Sequence, residues 1–139
     1  MAYQFAGFLV PSDVELTQHS AIPAEAIFRR ITIPFDGVGV RIPSLVGTAP
    51  AADEIKALAA ATGIAQARSW LYLTYETFGT IDWVYALGVQ DGEAFGPIDD
   101  SNMETVGATF VDVMARIGVD SENALQFAPF KRGFWAPQA

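Results

Sequence analysis

The chain predicts an α+β fold: a single antiparallel sheet of five or six strands with two helices packed on one face, ordered β-β-β-α-β-β-α-β. Three observations carry this expectation. Short apolar and aromatic runs are punctuated by Gly, Asp and Pro; two segments repeat their apolar residues at helical spacing; and residues 70–89 read as one long β-hairpin. At 139 residues, 51% hydrophobic and 17% charged, the chain is expected to form one domain spanning residues 1–139, with its own core.

Residues 3–10 are apolar and aromatic enough for a first strand, ended by Pro11. Residues 11–23 are polar and irregular and hold His19, the single histidine. Ser12, Asp13, His19 and Ser20 crowd together there, but a catalytic triad is defined by geometry and no Gly-x-Ser-x-Gly elbow accompanies them. Residues 27–34 and 38–43 form a hairpin across Phe35-Asp36-Gly37. Gly37-x-Gly39 lacks the third glycine and the helix that a dinucleotide loop requires.

Thr48 is placed to cap a helix running to about Thr62, with Asp53 and Glu54 near its positive end and Gly63 as its left-handed stop. Ile55, Leu58, Ala59 and Thr62 mark its buried stripe. Its alanine-rich body suits close packing on a small-residue sheet face.

In the hairpin of residues 70–89, a two-residue Gly79-Thr80 turn sets the register: Trp70 opposite Val89, Tyr72 opposite Leu87, Thr74 opposite Tyr85, and Glu76 opposite Trp83. One face then carries Trp70, Tyr72, Trp83 and Tyr85 around Glu76. The other carries Leu71, Leu73 and Tyr75 against Gly88, Ala86 and Val84. The aromatic face is either a second core face or a surface that meets a partner, because Tyr and Trp join an apolar body to a polar handle.

Residues 90–100 hold two glycines, a proline and four acids, which reads as an exposed loop. Asp91-Gly92-Glu93 does not meet the spacing of a calcium loop. Ser101 and Glu104 predict a capping box, and Met103, Val106, Phe110, Val113 and Ile117 one apolar stripe ending at Gly118. Gly107 within this helix suggests close approach to another backbone, and Asp112 with Arg116 an i,i+4 pair. Residues 120–124 are a turn and 125–127 a short last strand. Phe130, Phe134 and Trp135 are expected to fold back on the sheet.

Charge is unevenly placed. Residues 69–115 contain no Lys or Arg and eight acids, Glu76, Asp82, Asp91, Glu93, Asp99, Asp100, Glu104 and Asp112; the rest balances eight acids with eight bases. The net charge of −8 therefore lies in one third of the chain. Such a field repels nucleic acid and anionic membrane and draws basic partners. With one histidine and no cysteine, neither a metal site nor thiol chemistry is expected, and no cofactor is implied. No basic leader or membrane-length apolar run is present, so a cytoplasmic protein is expected.

These features favour a non-enzymatic, acidic protein-binding module. Immunity or inhibitor proteins and chaperones that dock a basic partner protein share the profile. The expected partner-binding residues are Trp70, Tyr72, Glu76, Trp83, Tyr85, Asp91, Glu93, Asp99 and Asp100. The alternative is a small-molecule-binding or catalytic domain, with its pocket between the aromatic sheet face and the C-terminal tail.

Overall fold

The computed structural model describes residues 3–12, 25–31, 35–77 and 81–124. The elements are β1 (Tyr3–Val10), β2 (Ile27–Ile31), β3 (Gly37–Arg41), α1 (Ala52–Thr62), β4 (Trp70–Thr77), β5 (Ile81–Gln90), β6 (Glu93–Asp100), α2 (Val106–Ala115) and the single turn α3 (Ser121–Ala124). The six strands form one antiparallel sheet in the order β2-β3-β1-β4-β5-β6. This is the expected α+β class, with one more strand before the second helix. The expected strand at 125–127, the C-terminal aromatics and most of the 11–23 loop, His19 included, lie outside the described residues.

β6 is where the acidic loop was expected. Asp91 (φ 50°) and Gly92 (φ 85°) both occupy the left-handed region, the geometry of a tight two-residue hairpin turn. The chain therefore reverses at once, and Gln90 pairs with Glu93. A bulge between Ala86 and Gly88 lets Phe95 and Ile98, three residues apart, face the same side of the sheet. As an edge strand, β6 tolerates Pro97 and a row of acids that a central strand would not.

The two helices lie on opposite faces, not on one. Val106, Phe110, Val113 and Met114 of α2 pack with Phe5, Leu9, Leu71, Leu73, Val84 and Ala86. Ile55 and Ala59 of α1 pack with Phe8, Val10, Trp70, Tyr72, Tyr85 and Leu87. The reason is the central strand β1, which is buried without interruption from Phe5 to Val10 and so presents apolar residues to both sides. One helical layer would leave half of these in water. The pairing of sizes also reverses the expectation: small Ala59 shares its layer with the rings, while Phe110 and Met114 share theirs with Ala86.

Helix boundaries differ in detail. α1 starts at Ala52, after Pro50, and Thr48 instead donates its hydroxyl to the Leu45 carbonyl. Gly63 ends α1 at φ 86°, as its position foretold. Ser101 and Glu104 make no capping box. Asn102 accepts the Glu104 N–H, and α2 begins only at Val106. Met103 is consequently 87% exposed and outside the apolar stripe. Gly107 meets no other backbone within 4 Å, so the expected close approach is absent.

Candidate functional site

The register of the central hairpin is the one expected from Trp70–Val89 through Glu76–Trp83. Beyond it a bulge shifts the pairing, and Thr77 meets Ile81. The Gly79-Thr80 turn lies outside the described residues. The nine expected partner-binding residues separate into four environments.

Trp70, Tyr72 and Tyr85 are core residues, 3%, 0% and 6% exposed. They are removed from any docking surface, because α1 covers this face. Phe8 makes an edge-on contact with Tyr72, centroids 5.3 Å apart, and a tilted one with Trp70 at 5.9 Å. Their polar handles are satisfied inside: Tyr85 donates its hydroxyl to the Pro50 carbonyl, and Tyr72 accepts from the Thr74 hydroxyl at 3.2 Å. Burial pushes the Tyr72 phenol up to about 12. Burial also raises Tyr85, helped by the negative charges of Asp99 and Glu54.

Glu76, Trp83 and Asp99 form a half-wet rim at one end of the same face. Glu76 and Trp83 are cross-strand partners, and Gln4 of β1 donates its amide to Glu76 Oε1 at 3.1 Å. Trp83 donates its indole N–H to Asp99 Oδ1 at 2.8 Å and lies 6.5 Å from the Tyr85 ring. Gln4 is an addition that the sequence pattern did not single out, and Glu54 stood out only for its place in the first turn of α1. The pairing of Gln4 with Glu76 follows from where β1 docks.

Asp100 has a structural task. Its carboxylate accepts the Asn102 N–H at 2.9 Å and the hydroxyls of Thr105 and Thr109, at 2.9 and 2.6 Å on Oδ2. These bonds, led by that from Thr109, hold it below the usual carboxylate range. Asp100 thus ties the end of β6 to the start of α2.

Asp91 and Glu93 sit at the opposite end of β6, at its turn. Glu93 and Asp99 are six positions apart along the strand, roughly 20 Å. Asp91 Oδ1 lies 3.4 Å from Arg68 Nε, and the Asp91 and Gly92 amides bond to Ser69 Oγ and the Arg68 carbonyl. A cleft of about 320 Å³ opens beside this turn, lined by Gln90, Asp91, Glu93, Ala94, Phe95 and Arg116.

The arginines of the β2–β3 hairpin lie across the sheet from β6. Four strands intervene between the edge strands β2 and β6, a span of roughly 24 Å, and three between β3 and β6, roughly 19 Å, with Arg41 donating Nη2 to the Gln4 carbonyl at 3.1 Å. Salt screens over about 8–10 Å, so Arg29, Arg30 and Arg41 do not neutralise the acids of β6. Among the described residues Glu93, Asp99 and Glu104 have no ion-pair partner. Among the described residues, too, no group of three or more His, Asp or Glu is placed to hold a metal ion, and no helix is long and apolar enough to cross a membrane. Comparison with protein-family models, curated proteins and solved structures finds no match.

Proposed function

We propose that the chain is an acidic protein-binding module that docks a basic partner protein through the rim of Glu76, Trp83 and Asp99. The observation that carries this reading is the separation of charge across the sheet: Glu93 and Asp99 of β6 have no ion-pair partner among the described residues, and Arg29 and Arg30 lie on the opposite edge strand β2. Exposed carboxylates speed encounter with a cationic surface, and a half-buried Trp held by Asp99 supplies a rigid aromatic contact. Asp91 and Glu93 add to the field from the other end of the strand, Asp91 less so because Arg68 is beside it. An immunity or inhibitor protein, or a chaperone, that masks a positive surface is the class this arrangement suits.

The test is affinity capture with Glu76→Gln/Asp99→Asn, which removes two charges while each amide oxygen can still accept the bond from Gln4 or Trp83. A control, Asp112→Asn, neutralises a carboxylate on α2 instead. The expected result is a basic partner retained by the native chain and the control, released by raised salt, and lost with the double variant. Retention that ignores both salt and the double variant would overturn the reading.

A further inference from the structure

The cleft at the β5–β6 turn has a guanidinium that makes no hydrogen bond among the described residues. Arg116, at the end of α2, lays its guanidinium over the Phe95 ring, with Cζ 4.7 Å from the centroid. Its closest carboxylate is Asp112, at 3.9 Å, too far for a hydrogen bond. Its Nε is buried with no acceptor, and among the described residues the side chain makes no hydrogen bond at all. Stacking and the expected i,i+4 ion pair with Asp112 therefore hold the group in place, while its Nη donors, on a side chain 32% exposed, are left without a hydrogen bond among the described residues. A planar donor fork presented in this way matches a carboxylate.

The surroundings narrow the choice. Glu93 lines the same cleft and has no ion-pair partner among the described residues, whereas Asp91 is already matched by Arg68. Among the described residues the cleft is thus lined by one guanidinium whose donors make no hydrogen bond and one carboxylate without an ion-pair partner. A simple anion would meet Glu93, and a simple cation would meet Arg116. We infer that the cleft binds a small zwitterion of the α-amino-acid class, its carboxylate on Arg116 and its ammonium on Glu93, with the Gln90 amide able to donate or accept between them. A volume of about 320 Å³ is at the lower end of small-ligand sites and holds one amino acid. The site is on the α2 face and at the other end of β6 from the docking rim, so neither proposal depends on the other.

The experiment is an NMR amide titration of the full chain, including the Arg side-chain Nε–H resonances. L-alanine, L-glutamine and L-phenylalanine are added separately, and each again as its carboxamide and as its N-acetyl derivative. The expected result is a saturable shift confined to Gln90, Glu93, Phe95 and Arg116 for at least one free amino acid, weakened tenfold or more when either charged end is blocked. Glu93→Gln, on an exposed turn, and Arg116→Gln should each weaken it by a similar factor. Absence of a saturable shift with all three, equal binding of the blocked forms, or indifference to Glu93→Gln in a chain with unchanged native spectra would each overturn the assignment.

Discussion

Replacing Tyr72 separates a core ring from a docking anchor. Tyr72 is wholly buried, packs edge-on to Phe8, and shares its layer with Ile55 and Ala59 of α1. Truncation to Ala removes an aromatic ring from a site that cannot collapse onto a rigid sheet, which costs about 3–5 kcal/mol. It also leaves the buried Thr74 hydroxyl without its acceptor. Tyr72→Phe isolates that second effect, about 1–3 kcal/mol. Urea denaturation followed by tryptophan fluorescence gives both numbers. With a slope of about 2 kcal/mol per molar, Tyr72→Ala should lower the midpoint by roughly 2 M and Tyr72→Phe by about 0.5–1.5 M. A Tyr72→Ala midpoint within about 0.3 M of the native value, at unchanged slope, would mean that the ring stands at a surface, and the placement of α1 over this face would fall.

The same tyrosine makes the fold sensitive to alkali. Its phenol is raised from 10.0 to about 12 in the folded chain. Stability is therefore full below pH 10 and is lost as pH rises toward 12, by about 3 kcal/mol in all, an effect that Tyr72→Phe should remove from the pH dependence of unfolding. Asp100 acts at the acid end. Its carboxyl is lowered, so its contribution is present above the ordinary carboxylate range and disappears as pH falls through the folded value. Acid titration of Asp100→Asn should show a shallower loss of stability than the native chain, and an identical profile would refute its role at the α2 terminus. Two glycines should respond in opposite directions in thermal melts. A methyl at Gly88 would lie 2.2 Å from the Trp70 carbonyl oxygen and 3.0 Å from the Phe95 ring, so Gly88→Ala should destabilise by about 1–3 kcal/mol. Gly107 is exposed in α2 with open space around it, so Gly107→Ala should stabilise by up to about 1 kcal/mol.

What could be read from the chain alone is what depends on neighbours in sequence. Alternation of period two fixes the register of β4 against β5, because a slip of one residue would turn every ring to the other side. Gly63 ends α1 because it is the residue that takes a left-handed stop without strain, and Val106, Phe110, Val113 and Ile117 are buried as their spacing requires. The Asp91-Gly92 turn was equally legible, but the surrounding acids disguised an edge strand as a loop, since an edge needs few apolar residues to stay paired.

Which surfaces meet was decided only by tertiary structure. An amphipathic helix reveals that it has a buried stripe and says nothing of what lies beneath it. With apolar side chains on both sides of β1, the sheet had two faces to cover, and α1 took the aromatic one. Asp99 and Asp100 show the same division at the scale of single residues. Adjacent and chemically alike, they point to opposite sides of β6, where one holds the Trp83 indole at the rim and the other binds Thr105, just before α2, and Thr109 within it. Composition records both as negative charge. Strand pairing, which brings distant segments alongside, determines that Asp99 meets solvent and Asp100 meets the helix.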